Sequence, residues 1–170
     1  MNFDGVDDIV THGDIAGVDG ATALSVAMWV NPNTGVAGEP LIIKVTAATN
    51  YTFFSRFSSG AAADWQLITT AGNHGVVATV FANGTWVHVA FVYDGSLTND
   101  SRVKIYVNGT SRARSCSGTF PTTLTSGTAI VKIGRWGGTL TRFWAGQIDD
   151  VQIFNYSLTP LQMRLLYNQN

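Results

Sequence analysis

GQIDDVQIFNYSLTPLQMRLLY, residues 146 to 167, is the stretch whose reading decides the fold. Its first part belongs to a strand expected from Ala145 to Phe154, opened by the acidic pair Asp149 and Asp150. Its second part turns into the chain's one predicted helix. Thr159-Pro160-Leu161-Gln162 reads as a capping box with proline at the first helical position, and Leu158 and Met163 complete a hydrophobic staple. Leu161, Leu165 and Leu166 are expected to form the apolar face that packs on the protein body, with Arg164 outward, so the helix reads as a structural cap. A matching acidic phrase, FDGVDDIV at 3 to 10, opens the chain, and NGTWVHVAFVYDGS at 83 to 96 followed by VKIYVNG at 103 to 109 fills its middle.

Strand signals dominate the rest: short β-branched and aromatic runs, punctuated by Gly, Asn, Asp or Pro every ten or so residues. In the run from Ala23 to Asn31, Leu24, Val26, Met28 and Val30 share one phase and Ser25 and Trp29 the other, the alternation of a strand between a core and a second surface. From Trp86 to Tyr93 both phases are apolar apart from His88, which predicts a central strand. Asn108-Gly109 after VKIYV is a type I′ hairpin signal. About ten antiparallel strands and one terminal helix imply an all-β sandwich, and 170 residues suit a single domain spanning residues 1 to 170.

The three phrases, in this order and spacing, resemble the laminin-G-like branch of the concanavalin A-like lectins and glucanases. The resemblance covers nearly the whole chain and implies an antiparallel jelly-roll β-sandwich. That fold hosts sugar binders, glycosidases, adhesion modules and structural domains, so function has to be read from a site.

Charged residues are 12% of the chain, against about 25% in ordinary soluble domains. The net charge of −1, with ten basic residues scattered along the chain, offers no electrostatic footprint for nucleic acid. No apolar run approaches the length of a membrane span, and no leader follows Met1. Cys116 is the only cysteine, which excludes an intrachain disulfide and reads as a free thiol. The expected setting is extracellular or surface-displayed, within a larger protein or assembly.

Asp4, Asp7 and Asp8 lie in the opening phrase and Asp149 and Asp150 in the last strand, which in the resembled family pairs with the first. Carboxylates gathered in this way suit Ca²⁺ with its six to eight oxygen ligands; the alternative is that they cap turns. In the related glucanases the acid matching Asp149 helps hold a structural calcium. The resemblance therefore implies a calcium role for Asp149, with Asp4 or Asp8 next.

A retaining glucanase of this fold would carry its two carboxylates on one strand, as Glu-X-Asp-X-X-Glu or a close variant. Glu39 is the only glutamate here and Asp64 has no second acid near it, so the expectation is a protein that is not an enzyme. His12, His74 and His88 are isolated and lack zinc-site spacing. Sugar binding needs an aromatic platform with polar neighbours, and the candidate set is Trp136, Arg135, Trp65 and Asn73, with Trp29 and Trp86 read as core. The functional expectation is a non-catalytic, lectin-like module for carbohydrate or another extracellular ligand. The alternative is a structural or assembly protein of a virion, surface layer or adhesin that contacts other proteins, and a glycoside hydrolase is third.

Overall fold

The structure, a computed structural model, describes residues 1–33, 39–47, 50–57, 64–68, 74–78, 82–113, 115–136 and 142–169. Thirteen strands and one α-helix occur among them: β1 (Asn2–Asp4), β2 (Val10–His12), β3 (Ala23–Pro32), β4 (Pro40–Ala47), β5 (Asn50–Phe57), β6 (Asp64–Ile68), β7 (His74–Ala78), β8 (Val87–Asp94), β9 (Val103–Val107), β10 (Thr110–Arg112), β11 (Ser115–Ser117), β12 (Val131–Ile133), β13 (Ala145–Phe154) and α1 (Pro160–Asn168). A six-stranded sheet runs β1-β13-β3-β8-β9-β10 and a seven-stranded sheet β11-β7-β6-β5-β4-β12-β2. All pairings are antiparallel, and the two sheets form the expected jelly-roll sandwich.

The period-2 patterns explain the layering. Leu24, Val26, Met28 and Val30 of β3 point into the sandwich with Val89 and Phe91 of β8, Ile105 of β9 and Ile148 of β13, meeting Leu41 and Phe53 from the other sheet. The opposite phase of the six-stranded sheet faces outward. There Ala27, Ala90, Val92 and Tyr106 make a second apolar cluster with Leu158 and Met163, which seats α1. The opening acidic phrase is not one strand: β1 pairs with β13 in one sheet and β2 with β12 in the other, so Asp4, Asp7 and Asp8 lie where the chain crosses between sheets. Gly5 makes that crossing at φ 82°, a left-handed conformation that suits glycine.

Local chemistry sets the ends of the elements. Asn108 and Gly109 both have positive φ, 49° and 67°, as a type I′ turn between β9 and β10 requires. The Thr159 side chain accepts from the Gln162 backbone while Gln162 returns the bond to the Thr159 amide, forming the expected capping box. A helix of nine residues is marginal alone, so its place is fixed by packing. Leu158 and Met163 are buried together as the staple. The inward face is Met163, Leu166 and Tyr167, whereas Leu161 and Leu165 are 65% and 51% exposed. This corrects the expected apolar face: the staple sets the helix rotation, and positions three and four residues after Met163 follow it inward.

Lys44 is wholly buried. Its Nζ pairs with Asp14 and with Asp19 at 3.0 Å, and donates to the carbonyls of Gly127 at 2.9 Å and Ala129 at 3.1 Å. One ammonium thus ties the loop after β2 and the segment before β12 to the middle of the seven-stranded sheet.

Candidate functional site

The site grows from the outward phase of three adjacent strands. Cross-strand register sets Asp149 of β13 opposite Trp29 of β3, and Trp29 opposite His88 of β8. Tyr167 of α1 stacks on Trp29 with ring centroids 5.6 Å apart, and the His88 ring meets the Trp29 ring edge-on at 5.4 Å. The helix therefore braces Trp29 through this stacking as well as capping the sheet. Trp86, just before β8, is 41% exposed. Trp29, Trp86, Asp149 and Asp150 line an open pocket of about 280 Å³.

Strict alternation would turn Asp150 toward the core. A β-bulge prevents this: the β13–β3 register shifts between Asp149 and Gln152, and Asp150 sits at φ 50°. Aspartate tolerates that left-handed conformation better than most residues. Bulges re-aim side chains in this way, and here the consequence is two successive carboxylates on one face. Both are exposed to water. Trp29 Nε1, Asn31 Oδ1 and His88 Nδ1 are buried with no hydrogen-bond partner among the described residues.

His88 is 3% exposed. Burial pushes its imidazole down to about 4, with the Asp150 charge acting in the opposite sense. A histidine whose folded value lies below its ordinary 6.5 favours the fold while neutral; that stability is full above pH 6.5 and is lost as pH falls from there through about 4. Between pH 7 and pH 4 the expected loss is on the order of 3 kcal/mol. Urea unfolding at both pH values, for the native protein and His88→Gln, should show a smaller acid loss in the variant; equal losses would refute the assignment.

The other sequence candidates lie elsewhere. Asp4, Asp7 and Asp8 converge, each offering a carboxylate oxygen within 4.8 Å of the others. Asp8 Oδ2 accepts from the Asp4 amide and Asp4 Oδ1 from the Val6 amide, both at 2.8 Å, so the cluster also braces its own turn. Three carboxylates with further oxygens to offer are a hard-oxygen set that fits Ca²⁺. Asp149 lies apart from them: Asp4 pairs with Ala145, and four residues of strand beyond it span roughly 13 Å.

Arg135 and Trp136 follow β12. The Arg135 guanidinium lies 5.1 Å over the Phe143 ring, and the Trp136 amide donates to Arg142. Trp65 lies in β6, three strands away from β12 in the sheet order, with its side chain outside the described set; Asn73 falls outside the described residues. The reading of Trp29 and Trp86 as core is corrected: Trp29 is half-buried on the outer face and Trp86 is exposed. Among the described side chains the core tryptophan is Trp144, fully buried, its amide donating to the Gly134 carbonyl at 2.7 Å. Glu39 is occupied structurally, Oε2 accepting from the Ala145 amide at 3.0 Å, and burial raises its carboxyl above the usual range.

A two-sheet antiparallel jelly roll with a helix on one outer face and an aromatic, acidic pocket beside it defines the class. The profile of the concanavalin A-like lectin/glucanases superfamily matches residues 4–164, and the chain belongs to this family, in its laminin-G branch. No curated protein sequence matches the chain. Among solved structures it is similar to a heptameric serum-amyloid-P-like pentraxin from Limulus polyphemus (TM-score 0.70, 18% identity, covering 98% of this chain and 80% of that one). It is also similar to domain 4 of AbnA, an extracellular arabinanase from Geobacillus stearothermophilus, solved with arabinotriose (TM-score 0.63, 19% identity, 98% and 87%). The receptor-binding domain of botulinum neurotoxin D is a third (TM-score 0.68, 12% identity, 98% and 43%). At these identities the likeness is one of fold.

Proposed function

We propose that the chain is a non-catalytic carbohydrate-binding module whose site is the pocket between Trp29, Trp86, Asp149 and Asp150. The observation that carries this reading is the outward placement of two indoles beside two carboxylates. An indole face packs on the apolar face of a pyranose, and carboxylate oxygens accept from its hydroxyls. Solved neighbours include a domain crystallised with arabinotriose, which supports the ligand class. Asp149 and Asp150 are both water-exposed and Glu39 serves the Ala145 amide, an arrangement suited to binding rather than to acid catalysis. Extracellular or surface display belongs to the same reading.

A glycan array followed by titration of the best ligand tests it. Trp86→Ala should weaken binding roughly thirtyfold, equivalent to about 2 kcal/mol for loss of an aromatic anchor, with an unchanged melting temperature because Trp86 is exposed. Undiminished affinity in Trp86→Ala together with loss in Trp136→Ala would move the site to the Arg135–Trp136 loop. No glycan binding by folded protein would favour the assembly reading.

A structural calcium belongs to the proposal, held by Asp4, Asp7 and Asp8 at the crossing between sheets. Calcium should then raise the melting temperature with concentration, by linkage, and Asp7→Asn should abolish the rise. No shift on adding calcium or chelator would remove the ion from the account, leaving the three acids as turn formers.

A further inference from the structure

Within the carbohydrate reading, the pocket's charge is informative. Its described lining contains two indoles and two carboxylates and no basic side chain. The buried His88 imidazole, which packs against Trp29, stays neutral near pH 7 and contributes no cation. A neutral sugar would gain stacking and hydroxyl bonds yet leave two neighbouring like charges repelling each other across the site. A protonated amine relieves that repulsion and is also attracted to the indole faces, whose quadrupoles favour cations. The bulge matters here: an unbulged strand would present Asp149 alone, and the second carboxylate reaches the pocket only because Asp150 adopts φ 50°. A volume of about 280 Å³ has room for one sugar ring.

We infer that the pocket selects a sugar residue bearing a free, protonated amine, its ring against the tryptophans and its ammonium between Asp149 and Asp150. This inference rests on the carbohydrate reading and narrows it to amino sugars that are not acetylated.

The test uses the intact chain and three trimers of matched linkage: the glucosamine trimer, the N-acetylglucosamine trimer and cellotriose, titrated calorimetrically at low and at physiological salt. The glucosamine trimer is expected to bind at least about tenfold more tightly than either of the others, with the advantage shrinking at higher salt. Asp150→Asn, which keeps a residue tolerant of the left-handed conformation, should remove most of that preference, so that within the variant the glucosamine trimer and cellotriose bind with closely similar affinities. Equal or tighter binding of the acetylated or neutral trimer overturns the inference and leaves the carbohydrate reading intact. So does an amine preference that survives both Asp149→Asn and Asp150→Asn. Failure of all three trimers, together with a blank glycan array, overturns both.

Discussion

Asp19→Ala is expected to destabilise the fold by about 2 to 3 kcal/mol, because it leaves the buried Lys44 ammonium with one carboxylate, Asp14, where it had two. Lys44 has no exposed side-chain surface, and Asp19 is one of two carboxylates that neutralise it. Asp19 Oδ1 also accepts from the Gly127 amide at 3.2 Å, so the substitution loosens the segment before β12 at the same time. The informative comparison is Lys44→Met. Removing the cation leaves Asp14 and Asp19 facing one another, but their side chains are 35% and 18% exposed and can recover hydration, and a methionine of similar length fills the space. The methionine variant should therefore lose less than Asp19→Ala. Urea unfolding of both decides it, and a larger loss in Lys44→Met would mean that the ammonium's bonds to the two carbonyls dominate.

Gly95→Ala is expected to cost about 4 kcal/mol or more, in the range that prevents folding of a marginal domain. A Cβ there would lie 1.9 Å from the Thr122 carbonyl oxygen and 2.8 Å from Tyr93 Oη. Neither neighbour can retreat easily. The Gly95 amide is bonded to Thr22 O at 2.7 Å, and Tyr93 Oη donates to Pro121 O at 2.6 Å. Gly84→Ala separates contact from backbone strain: its φ is 72°, yet a Cβ there meets nothing within 4 Å, so only a penalty of roughly 1 to 2 kcal/mol for the left-handed conformation is expected. Comparable melting temperatures for the two variants would contradict the contact argument. The glycine of the phrase YDGS is thereby explained by the close approach of the 120–124 segment.

Where a local rule is strong, the chain can be read directly. β9 and β13 have the bounds that pattern alone assigns, Asn108-Gly109 makes its turn, and Thr159 and Gln162 cap the helix. The site was harder to see for two physical reasons. The phase of β3 already sets Trp29 outward with Ser25, but the general tendency of large aromatics to fill sandwich cores points the other way, and here alternation prevails. Trp144, which does fill the core, precedes its strand and is buried in a cluster drawn from both sheets, which no local pattern encodes. The bulge at Asp150 is equally hidden, because Asp-Asp-Val within a strand reads as ordinary alternation. Asp149, approached from the sequence as a calcium ligand, lines a pocket with Asp150. Asp4 and the Asp149–Asp150 pair occupy neighbouring strands but are offset along them, and Asp7 and Asp8 lie in the crossing beyond β1.

The lengths of the outermost strands bear on how this weakly charged surface can behave in company. Among the described residues, each sheet ends at both sides in a strand of three residues: β1 and β10 in one, β2 and β11 in the other. A free sheet edge is a template for another chain, and a short one offers few backbone groups to pair with. With charged residues at 12%, repulsion gives little protection against sticking, so brevity of the edges stands in for it. Any partner, including another copy of the chain, would find few backbone groups to pair with on these four strands.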